Sequence, residues 1–263
     1  MSVAAETRTK PASVTLDDER VVPGIADAGT YAAHLARYEF VAPMIAPQET
    51  VLETACGSGY GTRILASRAR QVVGIDYSPL ALDYARRHHG AANLRFVQMD
   101  CHQLSFPTAS FDVVVSFEVF EHLENSDKYL AECRRVLRPG GRLMLSTPNA
   151  APWNIHMGSQ GLDYDFHINM VDLEGLRSAL RRHFLNVTVY GQRRRGSPIY
   201  GVLRALDVFN LRLRLLPHKK RETMQQAMGV TAAEQISSHD WTFGRTQLRQ
   251  ANSFVAVCIK AGA

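Results

Sequence analysis

Several signatures are missing from this chain, and each absence narrows the field. Its 263 residues include only four cysteines, Cys56, Cys101, Cys133 and Cys258. None stands in a C-x-x-C pair, so neither a zinc site nor a disulfide framework is indicated and a reducing cytoplasm is expected. No apolar run approaches the roughly 20 residues that span a bilayer. The early stretch ETRTKPASVTLDDER has no apolar core of a secretory signal. There is no G-x-x-x-x-G-K-[ST] phosphate loop, which argues against a bound triphosphate. Repeats and low-complexity tracts are also absent.

The basic charge is confined to one stretch. The formal net charge is +5, yet residues 191–221 hold nine Lys or Arg against a single acid, Asp207. Only Tyr200 and Phe209 interleave these basic residues, too few for base stacking, so a nucleic-acid partner is not expected. Within the same stretch Ile199, Val202, Leu203, Leu206, Phe209, Leu213 and Leu216 recur at helical spacing, with Arg204, Arg212 and Arg214 off the stripe. A basic amphipathic helix over 198–221 could cap an acceptor pocket, touch an anionic membrane surface, build a homodimer contact, or simply pack on its own domain.

The remainder alternates regularly. Strands are expected at 50–54, 71–75, 94–98, 112–116 and 142–147, with helices at 61–69, 79–89 and 126–137 between them. Such alternation implies a doubly wound, mostly parallel α/β sheet. Before it, TYAAHLARYEFVAPMI repeats apolar residues through Tyr31, Leu35, Tyr38 and Val41, as an amphipathic helix would. Residues 1–29 are read as a flexible arm and 30–263 as one domain carrying an α-helical insertion at 191–252. After residue 170 come a helix near 171–183, the strand LNVTVYG and the final strand NSFVAVCIKA.

The first strand runs into a turn of small residues, VLETACGSGYGT, where Gly57, Gly59 and Gly61 let a ligand approach the backbone. The second strand, QVVGID, delivers Asp76 about twenty residues later, the spacing of a carboxylate that holds a ribose diol. The dinucleotide fingerprint needs a glycine where Thr62 stands. With Glu53 ahead of the glycines, the stretch resembles motif I of the class I S-adenosylmethionine-dependent methyltransferases, E/D-x-G-x-G-x-G, which here reads Glu53, Ala55, Gly57, Gly59. GIDYSPLALDYA, LRFVQMDC, FDVVVSFEVFEHL and LRPGGRLMLSTPN continue that similarity in order.

The resemblance implies a seven-stranded Rossmann-like methyltransferase sheet with an antiparallel last strand, and S-adenosyl-L-methionine as cofactor. By the same resemblance, Glu53 meets the cofactor's amino end, Asp76 the ribose hydroxyls and Asp100 the adenine amino group. Ligands bind beyond the carboxyl ends of such strands, so Ala55, Gly57, Ser58, Gly59, Tyr77, Cys101 and Phe117 join the candidate cofactor set.

Methyl transfer to a hydroxyl also needs a base or a metal. If a helical turn begins after strand four, Glu118, Glu121 and His122 stand at i, i+3 and i+4 on one face. His167 in DYDFHIN follows strand five on the same rim. Glu121, His122 and His167 are therefore the catalytic candidates. The four together form a candidate site for Mg²⁺ or Mn²⁺; the alternatives are His122 as a metal-free base, or a structural role. E-x-x-E-H with a downstream histidine is similar to the sites of small-RNA 3′-terminal 2′-O-methyltransferases and quinone-biosynthesis O-methyltransferases, which implies an acceptor with neighbouring hydroxyls. STPNAAPWNIH and FHINMVDLEGL look similar to bacterial methyltransferases of glycan and natural-product pathways. The expected acceptor is a hydroxyl of a sugar, glycan or similar small molecule, the near alternative is a phenolic or quinone precursor, and RNA comes last.

Overall fold

A computed structural model describes residues 20–150, 167–195 and 236–262. The insertion helix expected at 198–221 and residues 1–19 of the arm lie outside the described residues. Helix α1 (Ala28–Val41) precedes β1 (Thr50–Thr54), α2 (Tyr60–Ala66), β2 (Gln71–Asp76), α3 (Pro79–His89), β3 (Leu94–Gln98), β4 (Phe111–Phe117), α4 (Ser126–Val136) and β5 (Leu137–Pro148). Then come α5 (Leu173–Arg181), β6 (Asn186–Arg194), β7 (Trp241–Gly244) and β8 (Ser253–Ile259).

Local chemistry sets several of these boundaries. Asp27 caps α1 by accepting from the amides of Gly29 and Thr30 at 2.9 and 3.0 Å, which starts the helix two residues before the expected Thr30. Ser78 caps α3 with Pro79 in its first turn, where a missing N–H costs nothing. Asp172 caps α5 through the Gly175 amide at 2.8 Å.

The strands pair in the order β3-β2-β1-β4-β5-β8-β6-β7. The pairs β1–β2, β1–β4, β2–β3 and β4–β5 are parallel, whereas β8 is antiparallel to both β5 and β6. The sheet therefore has eight strands, not seven. The additional one, β7, lies antiparallel on β6, inside the segment read as a helical insertion. It is four residues long, too short to show an alternation by which sequence could reveal it.

Both faces of the sheet are covered, so the inner strands read as nearly unbroken apolar runs. Successive residues supply opposite layers. Leu52, Val114 and Leu143 pack with Tyr129, Leu130 and Leu176 of α4 and α5. Val51, Val113 and Met144 pack with Tyr38, Leu65 and Leu82 of α1, α2 and α3. On α1 the buried face is made by Ala32, Ala33, Ala36, Arg37, Tyr38 and Val41; Tyr31 and Leu35 of the expected stripe are only half-buried.

Tyr38 is held by rings on two sides, with its centroid 5.5 Å from Tyr60 and 5.0 Å from Phe117, and by Gly61 below. A Cβ at Gly61 would lie 2.0 Å from the Tyr38 ring. Gly61→Ala gains about 1 kcal/mol of helix propensity, but overpacking a fixed ring costs about 1–3 kcal/mol. A net loss is expected, read as a lower urea midpoint; an unchanged or higher midpoint would show that the ring has room to move.

Candidate active site

β1 is the point where strand order reverses, with β2 on one side and β4 on the other. The crevice beyond these carboxyl ends is where an open α/β sheet binds ligands. Glu53 comes from β1 itself, not from the turn that follows it. Its side chain is buried, 1% exposed; the Thr62 and Tyr38 hydroxyls stand beside the carboxylate, but neither oxygen closes a hydrogen bond of standard geometry. Burial raises its pKa to about 7; the hydroxyls of Thr62 and Tyr38 oppose that rise, and the charge of Asp76 adds to it. A buried carboxylate left unpaired is costly unless a cation arrives to meet it.

The loop after Glu53 is built to stay open. Ala55, Gly57 and Gly59 all have positive φ, 49°, 53° and 83°. At Gly57 the space a Cβ would fill is empty to 4 Å, leaving the backbone approachable from the crevice. At Gly59 a Cβ would meet Ala85 at 2.6 Å and Phe96 at 2.9 Å, so that glycine serves packing. Ala55 accepts the left-handed conformation despite its methyl group, a strain of about 1–2 kcal/mol. It is exposed, so nothing collides with the methyl.

Asp76 closes β2 beneath this loop. Its carboxylate accepts from the Gly57 amide at 2.8 Å, the Ser78 amide at 2.9 Å and Arg20 Nη2 at 3.1 Å. Arg20 belongs to the segment read as a flexible arm. There Val22 is buried and Val21 accepts from the Ser58 hydroxyl at 2.7 Å. Residues 20–22 are thus packed against the glycine loop, a correction to the arm's boundary that no sequence periodicity could have signalled.

Tyr77 is largely exposed at the rim, while Phe117 is buried edge-on to Tyr38. Asp100 accepts from the His102 amide and ring at 2.8 and 3.0 Å. The amide bond in particular holds its pKa below the usual carboxylate range. Cys101 is half-buried, and burial pushes its thiol up to about 12. Both residues stand just past β3, on the rim expected for them.

At the end of β4 the expectation divides. A short 3-10 turn spans Phe120–His122, and Glu118 lies before it with φ 53°. That left-handed residue turns its carboxylate away: Oε1 accepts from Ser146 Oγ at 2.8 Å and Oε2 pairs with Arg37 at 3.3 Å. Glu118 is therefore not on one face with Glu121 and His122, which corrects its place in the metal set. Ligand atoms of Glu121, His122 and His167 do lie within 4.8 Å of one another. The His122 and His167 rings are 4.8 Å apart, centroid to centroid.

Glu121 is buried, accepts from Thr147 Oγ1 at 3.0 Å through Oε2, and has no partner at Oε1. Burial and the charge of Glu118 push its pKa well up. The Arg37 guanidinium beside Glu118 opposes the burial effect and holds that pKa down. The two neighbouring carboxyls are thus pushed apart, Glu121 up and Glu118 down. The Asn169 amide donates to the Glu121 carbonyl at 2.9 Å, and Asn169 Nδ2 to that of Phe120 at 3.1 Å; these bonds fix the His167 segment beside the turn.

Arg37 was not legible as a site residue. It is buried and donates to Gln192 Oε1 at 2.7 Å and Ser253 Oγ at 3.2 Å, while Gln192 donates back to Ala33 at 2.8 Å. Its only sequence signal is a charge on the apolar face of α1.

A dinucleotide-binding dehydrogenase sheet has no antiparallel strand in the position that β8 takes here. The fold is that of the S-adenosylmethionine-dependent methyltransferases. Residues 52–145 match the family described as methyltransferase domain. A probable S-adenosylmethionine-dependent methyltransferase of Mycolicibacterium smegmatis is 39% identical over 140 residues, 53% of this chain and 53% of that protein. The chain's match thus spans about half the length of that relative. Shorter matches reach a fatty-acid O-methyltransferase of the same organism, 41% identical over 35% of this chain and 34% of the relative. They also reach a ubiquinone biosynthesis O-methyltransferase of Hahella chejuensis, 33% identical over 45% and 51%. Among solved structures, a methyltransferase of Thermotoga maritima described as a possible histamine N-methyltransferase superposes with a TM-score of 0.61 at 14% identity, covering 89% of this chain and 91% of that one. At that identity the likeness speaks for the fold alone.

The crevice fits the cofactor on its own evidence. An ammonium would satisfy both unpaired oxygens of Glu53, and the open face of Gly57 admits a ligand against the backbone. No helix among the described residues is long and apolar enough to cross a membrane.

Proposed function

We propose that the chain is an S-adenosylmethionine-dependent O-methyltransferase whose acceptor is a hydroxyl of a sugar, glycan or similar polyhydroxylated small molecule. The observation that carries the reading is the grouping of Glu121, His122 and His167 at the end of β4, on the rim of the cofactor crevice. When bound, the cofactor supplies a methyl carbon already activated by its sulfonium. The chain's own residues have two tasks, to hold the acceptor in line and to remove its proton.

Glu53 and Asp76 anchor the two ends of the cofactor's amino-acid and ribose parts. His122 takes the hydroxyl proton at a ring nitrogen, and His167 flanks it. Glu121, whose carboxyl burial and the Glu118 charge push toward the neutral form, lies beside both histidines. Alternatively, were Mg²⁺ or Mn²⁺ bound, the same three side chains, with Glu121 ionised, would hold it, and it would supply the positive charge that eases loss of the hydroxyl proton. A phenolic or quinone-precursor acceptor is the second reading, favoured by the similarity to the ubiquinone biosynthesis O-methyltransferase.

Release of S-adenosylhomocysteine should be followed over a panel of sugars, glycans, catechols and amines, with Mg²⁺, with Mn²⁺ and with chelator. Turnover on sugar hydroxyls is expected. Turnover on catechols alone transfers the assignment to the phenolic class, and turnover on amines alone removes the O-methyltransferase reading. Loss on chelation, restored by either ion, assigns the three side chains to a metal.

A further inference from the structure

A carboxylate offers about four lone-pair sites, and three of those on Asp76 are taken. Two serve its own turn: the Gly57 and Ser78 amides tie the glycine loop and the start of α3 to the end of β2. The third is taken by Arg20, 56 residues upstream. The segment that brings Arg20 is held again at Val21, whose carbonyl accepts from Ser58, and by the buried Val22. A turn in which the Ile25 and Ala26 amides donate to the Val22 carbonyl then leads to the Asp27 cap of α1. α1 itself is fastened to β6 and β8 by Arg37 and Gln192. Residues 20–27 therefore form a strap with a fixed end at Asp27 and a closing contact at Arg20.

A ribose diol brings two donors to Asp76, and one lone-pair site is left. The two backbone bonds shape the loop that the cofactor needs, so the guanidinium is the partner that yields. We propose that Arg20 latches the strap over the cofactor crevice and that the cofactor's ribose displaces it, so that binding opens residues 20–27. This rests on the cofactor reading above and adds a cost to it. The apparent affinity is lowered by the fraction of molecules held latched.

The test is calorimetric titration of S-adenosylhomocysteine into the full chain and into its Arg20→Met variant, together with tryptic cleavage of the wild type. Removing the latch is expected to tighten binding about fivefold, the scale of a partly exposed ion pair. In the wild type, S-adenosylhomocysteine is expected to speed cleavage after Arg20, because the bond leaves the crevice. Arg20→Met binding no tighter than wild type, or cleavage unchanged or slowed by the ligand, would overturn the latch. No binding by either protein refutes the cofactor reading itself, and the latch with it.

Discussion

Glu53→Gln is expected to weaken S-adenosylhomocysteine binding by about one to two orders of magnitude at pH 8, because hydrogen bonds to a charged group are worth about 1.5–3 kcal/mol. The amide also turns an N–H toward the ligand's ammonium. The larger signature is in pH. Burial raises the Glu53 pKa to about 7, so near pH 6 the free protein holds this proton and a bound ammonium expels it. Calorimetry in buffers of different ionisation enthalpy should record release of about one proton per ligand near pH 6, falling toward zero above pH 8. In Glu53→Gln that release should vanish. Release that persists in the variant would assign it to another group.

The same carboxyl shapes stability. Its folded pKa lies above the unfolded value, so the folded state binds more protons between about 4.5 and 7. Stability from this group is therefore intact below that window and lost as pH rises through it, on the order of 3 kcal/mol. Ligand should restore much of it at neutral pH, seen as a thermal shift larger at pH 8 than at pH 5.

His122→Ala is expected to lower turnover about 10²- to 10⁴-fold, the usual contribution of a positioned base, with S-adenosylhomocysteine affinity unchanged. The separation follows from position. His122 ends the turn after β4, whereas Glu53 and Asp76, the residues proposed to hold the cofactor, sit on β1 and β2. Near-normal turnover would remove His122 from the chemistry, and a parallel loss of affinity would show that the turn supports the cofactor loop instead.

The sequence carried the sheet's core because buried parallel strands need contiguous apolar residues, and it carried Glu53 and Asp76 because each closes such a run. It did not carry Arg20, Arg37 or Gln192. Each is a single polar residue whose meaning depends on a partner 56 to 159 residues away, and no local pattern encodes such a pairing. Glu118 failed for a different reason. Extending a helical face back to it assumes ordinary backbone, whereas a left-handed residue at φ 53° breaks the face. Glu121, His122 and His167 were legible because two of them are adjacent and the third follows β5 on the same rim.

The placement of β8 bears on how the protein reaches its working form. β8 is made after both β5 and β6 yet lies between them, pairing Ser146 with Val255 on one side and Tyr190 with Val255 on the other. Until it inserts, β6 has no place in the sheet, and Arg37 lacks both its Gln192 and its Ser253 anchors. The first five strands pair in parallel order without β8, but the polar anchors that fasten α1 to the far half of the sheet need β6 and β8 side by side. The fastening of α1 is thus completed by a strand set into the middle of the sheet and not by one added at its edge.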